Sequence, residues 1–463
     1  MAKYQIYQDK AETHNIWIKS IPREWKVVPL KYMCRGFVKD GPHETPKFID
    51  DGIPFLSVDG IQKNKLVFEG CRYISIEDDA RFSLKCKPRK GNILLGKAAS
   101  VGKVAFVEND NDFNVWSPLA VINPKDIKLG RFIFYCLQSY ELQLQCDVFS
   151  NSNTQKNLGM TTIDNLTFPY PSINEAEKIS DFLDHETAKI DSLIAKQEKL
   201  IELLKEKRQA VISHAVTKGL NPNVVMKDSG VEWLGLVPEH WKCVKIKHIT
   251  TLFEQGWSPQ CDSRPAELNE YGVLKVGCVN NSIFRASENK ALPPELEPRL
   301  QYLIKKNDLL ISRANTKELV GSATVVDDEY PNLILCDKLY RLRLAKNVIP
   351  EMVSLYLSIS VVREQIELSA TGASHSMQNI GQDTINELWY LLPSFEEAEC
   401  ILKKININNQ IFNSLIEKAE LAIQLMQERR TALISAAVTG KIDVRNWHSQ
   451  NKNNNQDNKE LSA

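Results

Sequence analysis

Two long segments of the chain carry apolar residues at helical spacing. In the first, Ile190, Ile194, Ile201, Leu204 and Val211 fall on one stripe, and Leu193, Leu200 and Leu203 widen it. In the second, Phe412, Ile416, Ile423, Met426 and Leu433 repeat the pattern. Each segment opens with Ser-x-x-Glu directly after a proline, Ser172 with Glu175 and Ser394 with Glu397, the signature of a capping box. Each closes on a glycine, Gly219 or Gly440, a residue that takes the left-handed conformation of a helix stop at little cost. The pattern predicts helices over 172–218 and 394–440, each about 65–70 Å long if unbroken, with Asp184 to Lys189 as a possible break in the first. Such helices are longer than a compact domain is wide, so their apolar stripes need a partner, and the obvious one is the twin helix.

Elsewhere the pattern shortens. Runs such as IPFLSV (Ile53–Val58), KVAFV (Lys103–Val107), GVLKVG (Gly272–Gly277) and LYRLRL (Leu339–Leu344) are punctuated by Gly, Pro, Asn and Asp, which predicts strand-rich mixed α/β bodies over 21–171 and 237–393. Residues 1–20 form an N-terminal segment and 219–236 a linker. The stretch 441–463, which ends in the Asn-rich HSQNKNNNQDNKELSA, reads as a disordered tail.

The two halves are copies of one plan. Leu193–Thr217 and Leu415–Thr439 align at a constant offset of 222 residues, with 14 of 25 positions identical. At the same offset, NLGMTTIDNLTFPYPSINEAEKI (from Asn157) matches NIGQDTINELWYLLPSFEEAECI (from Asn379). IPREWKVVPLK (from Ile21) matches VPEHWKCVKIK (from Val237), and GNILLGKAASVGKVAFV (from Gly91) parallels NDLLISRANTKELVGSATVV (from Asn307). A duplicated body with a long helical spacer suits a target with its own dyad. Double-stranded DNA is read that way, in half-sites separated by whole turns, and two diverged bodies imply an asymmetric, bipartite target.

Composition narrows the class. With 43% hydrophobic and 25% charged residues, 463 residues make a globular chain of several domains. Lys plus Arg equals Asp plus Glu at 58 each, so any nucleic-acid surface must be local or completed by a partner. Neither a signal-peptide core nor a membrane-length apolar run appears, which makes the cytoplasm the expected compartment and a membrane no partner. The ten cysteines never come within a CxxC spacing and the eight histidines form no HxH or HExxH set, so no metal site is expected. No [DNS]-P-P-[YFW] motif of amino-methyltransferases appears, TFPYP at Thr167 lacking its polar residue and paired prolines, and no FxGxG loop for S-adenosylmethionine is present.

Three pairs of loops carry candidate chemistry. DGPHETPK offers His43, Thr45 and Lys47, and its counterpart GWSPQC offers Trp257, Ser258 and Gln260. GKAASVGK (Gly96–Lys103) is a near miss to a phosphate-cradling loop: five residues separate its glycines and Val104 stands where Ser or Thr is required. It reads instead as a strand-turn-strand carrying Lys97, Ser100 and Lys103, and the equivalent loop carries Arg313, Asn315, Thr316 and Lys317, residue types suited to phosphates and base edges. SNSNTQKN presents Asn153, Gln155 and Lys156, and TGASHSMQN presents Ser374, His375 and Gln378; Asn and Gln can bond adenine bidentately. On the helices, Arg208 and Arg430 lie among apolar positions, placed either to cross-link the two helices or to dock partners.

Taken together, the paired entry motifs IPREW and EWLGLVPEHW, the paired loops, and the helices ending AVISHAVTKG and ALISAAVTGK resemble the specificity subunit of type I restriction-modification systems over about residues 15–445. The resemblance implies an α+β fold: two tandem target-recognition domains, separated and followed by long helices pairing as an antiparallel coiled coil with pseudo-two-fold symmetry. It implies a non-catalytic subunit that reads one half of a split DNA site with each domain. Two methyltransferase subunits for adenine N6 methylation and two restriction-translocase subunits would join it, so S-adenosylmethionine, ATP and magnesium would sit on those partners, with no cofactor on this chain. Two other readings stay open, a stand-alone nucleic-acid-binding or coiled-coil scaffold and a nucleotide-dependent enzyme using the Gly96 loop.

Overall fold

The structure, a computed structural model, describes residues 4–150, 156–374 and 377–448. The chain divides into two compact units: Met1–Glu198 with Glu420–Ala463, and Lys199–Ala419. The sequence places each long helix in a segment of its own, whereas in the structure each helix is shared, its first part belonging to one unit and its last part to the other.

In the first unit a four-stranded antiparallel sheet runs in the order Val104–Phe106, Ile93–Gly96, Leu119–Ile122, Lys39–Asp40. The continuous apolar run ILLG predicts a strand buried on both faces, and that is how it folds. Ile93 and Leu95 pack into a core with the helix Ile127–Gln138 and the start of the central helix, while Leu94 packs into a second core with Leu56 and Val115. A three-stranded sheet, Asn114–Val115, Ile53–Leu56, Arg72–Ile74, covers that second side, its first pair parallel. Lys26–Pro29 pairs with Thr167–Tyr170 and leads the chain into the central helix.

The second unit repeats this plan. Its four-stranded sheet runs Ala323–Val325, Leu309–Ser312, Leu339–Leu344, Thr250–Gln255, and its three-stranded sheet has Gly272–Leu274 between Asn289–Ala291 and Leu333–Ile334, again with one parallel pair. Leu309 and Ile311 face one core and Leu310 the other.

The central helix spans Ile173–Lys218 and the distal one Phe395–Val438, 46 and 44 residues, the first without a break at Asp184 to Lys189. Ser172 Oγ accepts the Glu175 N–H at 3.3 Å and Ser394 Oγ the Glu397 N–H at 3.2 Å, one half of a capping box. The glutamates take other partners. Trp25 Nε1 donates to Glu175 and Trp241 Nε1 to Glu397, both at 2.9 Å, and Tyr7 adds a hydroxyl to Glu175. Burial, then the hydrogen bond to Glu175, pushes the Tyr7 phenol up, so it stays a donor. Each helix start is thus pinned to the tryptophan of its own entry motif. Gly219 and Gly440 close the helices at φ 76° and 67°.

Two expectations are corrected. Residues 441–448 are not a disordered tail: Ile442 and Val444 are buried in the first unit, and Trp447 packs edge-on against Phe182. Residues 449–463 lie outside the described residues. Within the linker 219–236, Met226–Asp228 pairs with Leu236–Pro238 at its far end. Leu193, Leu200 and Leu203 do not widen the buried stripe but stand 43–50% exposed.

Candidate nucleic-acid interface

The three loops singled out in each half meet in space, within each unit. In the first, Leu158 N–H donates to Lys97 O at 2.7 Å, Lys97 N–H to Pro118 O at 2.9 Å, and Ser117 N–H to Pro42 O at 3.2 Å, so the segments carrying His43, Lys97 and Lys156 are stitched to one strand end. In the second, Ile380 N–H donates to Arg313 O at 3.0 Å, Arg313 N–H to Lys338 O at 2.8 Å, and Trp257 N–H to Leu335 O at 3.0 Å. The first two bonds are equivalent in the two units, whereas the third runs toward the first loop in one unit and from it in the other. The loop after Asp40 and the one after Gln255 also approach the neighbouring backbone as only glycine allows. A Cβ on Gly41 would lie 1.9 Å from Val115 O, and one on Gly256 2.1 Å from Leu335 O.

The side chains on these frameworks differ. His43, Thr45, Lys47 and Lys103 are exposed and Ser100 is half-buried. Lys97 turns inward and lies 3.2 Å from Asp40. Asp40, buried, also receives Lys85 at 2.6 Å and His43 at 3.2 Å. Burial alone would raise its carboxyl pKa, but the hydrogen bonds and charges of Lys85 and Lys97 outweigh that and hold it below the usual value. Lys156 is exposed and pairs with Asp147. Asn153 and Gln155 lie outside the described residues, as does His375; of Ser374 only the backbone is described, in the strand Thr371–Ser374.

In the second unit, Trp257 is half-buried under the Arg299 guanidinium, whose centre lies 4.5 Å from the indole. Ser258 hydrogen-bonds the Asp337 carboxylate, and Gln260 is exposed. Arg313 reaches Asp337 O at 3.5 Å; Asn315 bonds Asn280 at 3.2 Å and caps Thr316 N–H at 2.9 Å. Asn315 and Gln378 face each other across paired strands, while Lys317 is exposed. Exposed cations, amides, hydroxyls and an aromatic ring on a hydrogen-bonded frame suit phosphate and base-edge contact. The Gly96 loop leads into the strand Val104–Phe106, not the helix that a phosphate-cradling loop opens. Sequence reading passed over the Asp40–Lys85 pair and Arg299; the charge run KCKPRK (Lys85–Lys90) was the available signal for the former.

On the helices, Ile190 and Leu433 are buried in the first unit's core, with Ile194 and Met426 packed against it. Ile201, Leu204, Val211, Phe412, Ile416 and Ile423 are half-buried. Arg430 Nε pairs with Asp191 at 2.9 Å, and its Nη1 bonds Gln138 at 3.0 Å. In the second unit Arg208 donates to Asn413 at 2.6 Å and stacks over Phe412. Both arginines therefore join one long helix to the other. Among the described residues no group of three or more side chains is arranged to hold a metal, and no helix is long and apolar enough to cross a membrane.

Residues 22–203 match the family model described as the type I restriction modification DNA specificity domain. The chain is 23% identical over 445 residues to the type I restriction enzyme EcoKI specificity subunit of Escherichia coli K12, covering 93% of this chain and 92% of that one. It is 29% identical over 204 residues to the EcoEI specificity subunit of Escherichia coli, a match spanning 34% of that relative's length. A solved chain, from a structure concerned with complex assembly and conformational transition of the type I R-M system, superposes over 91% of this chain with a TM-score of 0.66 at 15% identity, a likeness of fold.

Proposed function

The chain belongs to the family of type I restriction-modification DNA specificity subunits, and from that premise we propose that it reads an asymmetric, bipartite site in double-stranded DNA, one half with each unit. The observation that carries this is the repeated loop frame: Leu158 N–H to Lys97 O in one unit and Ile380 N–H to Arg313 O in the other hold unlike side chains in the same relative place. A common frame with divergent contacts is what two half-sites of different sequence require. The long helices act as the spacer between the halves, paired antiparallel through the stripe that includes Ile190 and Leu433. The exposed row Leu193, Leu200 and Leu203, repeated by Leu415 and Leu425, offers methyltransferase subunits a docking face. Adenine N6 methylation and restriction are performed by those partners and by restriction-translocase subunits; this chain supplies the address.

Co-expression with its methyltransferase, followed by sequencing of N6-methyladenine positions, tests the reading. Methylation confined to one two-part motif with a fixed gap is expected. Methylation at an uninterrupted motif would sink it, and DNA binding without any methylation would favour a stand-alone scaffold.

A further inference from the structure

One cleft of the first unit, beside the loop that follows Asp40, was not among the sequence-derived loops. It encloses about 500 Å³ and is lined by Arg35, Lys39, Lys85, Lys87, Arg89 and Lys90 with no carboxylate in its wall. Two of these cations are neutralised elsewhere, Lys85 by Asp40 and Lys87 by Asp79 and Asp112. The other four are not. Among the described residues Arg35 directs its guanidinium only to Lys125 O, and Lys39, Arg89 and Lys90 form no ion pair. In a chain balanced 58 to 58, four uncompensated cations around one hollow repel each other unless an anion joins them.

The cleft is also built in advance. Asn92 accepts the Arg89 N–H at 2.9 Å and donates to Asn123 at 3.2 Å, and Gly91 turns at φ 86° against Ile127, so the Arg89–Lys90 corner is held in place. Phe37, 74% exposed, lies in the same wall. An exposed ring beside cations suits a nucleic-acid backbone, whose sugars offer it an apolar face beside the phosphates, better than a free ion. Through Lys39 and Lys85 the cleft runs into the Asp40 hub and the loop carrying His43. A hollow in the second unit, about 960 Å³, sets Asp308, Glu351 and Glu399 among Lys305, Lys306, Arg343, Lys346 and Lys403, and so carries a smaller excess.

We propose that this cleft grips backbone phosphate of the duplex next to the half-site read by the first unit, with Lys39, Arg89 and Lys90 as the phosphate contacts and Arg35 beside them. This rests on the DNA-reading function proposed above. Such contacts add affinity and salt sensitivity without altering which sequence is read.

The test uses the full chain in complex with its methyltransferase subunits, and compares wild type, the R89Q/K90Q variant, K39Q, and the control K65Q, whose exposed lysine lies outside the cleft. Binding to a duplex bearing the mapped motif and to an unrelated duplex is measured between about 50 and 200 mM salt. Removing one cation from a phosphate should lower the slope of log K against log salt by about 0.9, a three- to fourfold smaller loss of affinity across that range. R89Q/K90Q and K39Q are expected to lower the slope on both duplexes, with the methylated motif unchanged, melting as wild type, and K65Q leaving the slope alone. An unchanged slope in the cleft variants overturns the proposal, as does a changed motif. Inorganic phosphate bound by wild type and not by R89Q/K90Q, with the DNA slopes equal, would make the cleft a small-anion site and overturn it too. The unrelated duplex separates the two readings: a wild-type complex without a bipartite motif defeats the proposed function, while its slope difference still decides the cleft.

Discussion

Asp40 shows how much one buried carboxylate organises. It holds Lys85, Lys97 and His43, and so fixes two of the candidate loops of the first unit to one strand end. D40N should cost about 1–3 kcal/mol at pH 7, since buried Lys97 is left without its counter-charge. Because the folded-state carboxyl is held below its ordinary value, near 4, that stabilisation is fully present above about pH 4 and disappears as pH falls through the depressed pKa. Urea unfolding of wild type and D40N should therefore converge in acid; a difference that stays constant down to pH 2 would rule out the ionised hub. Lys97 was legible as a cation in a candidate loop, but its inward turn was not, because its partner stands 57 positions earlier in the chain. Arg430 and Asp191 should show a coupling of about 0.5–1 kcal/mol in a double-mutant cycle, modest because Asp191 is 51% exposed. No coupling would leave Arg430 to its Gln138 contact alone.

At the scale of elements, the helices were the most legible part, as periodicity, Ser caps and terminal glycines all agreed. What the pattern could not distinguish was which apolar row meets protein. Leu193 and Ile194 are neighbours in sequence, yet one is half exposed and the other packs against the first unit's core. The capping glutamates Glu175 and Glu397 carried a further ambiguity, since a Ser-x-x-Glu box reads the same whether the carboxylate turns back to the helix or, as here, accepts from Trp25 or Trp241. In the sheets the glycines of the first loops carry the tightest constraint. G41A should drive a Cβ into Val115 O and shift the loop, at about 1–3 kcal/mol. In the assembled enzyme it should weaken methylation through the first half-site. Wild-type melting and wild-type methylation of G41A would show that the close approach relaxes without consequence.

For the whole molecule, the repeat makes the sharpest predictions. Replacing residues 21–170 with the equivalent body of another family member should change one half of the methylated motif and leave the other. A change in both halves, read by methylation sequencing, would break the assignment of one unit to one half-site. Inserting or deleting helical turns after Ile190, equally in both helices, should change the gap between the halves while keeping their sequences. A constant gap would remove the helices from the role of spacer.

The sequence by itself determined the duplication, the two long helices with their ends, the strand-rich bodies and the three loop pairs, because periodicity, capping and repeat offset are local or additive along the chain. Only the tertiary structure decided that Asp40 neutralises Lys97, that Arg208 and Arg430 tie one helix to the other, that residues 441–448 complete the first unit, and that Arg35, Lys39, Arg89 and Lys90 share one cleft. Those outcomes depend on which charges and apolar faces meet across tens or hundreds of residues, and a net charge of zero conceals where the uncompensated ones collect.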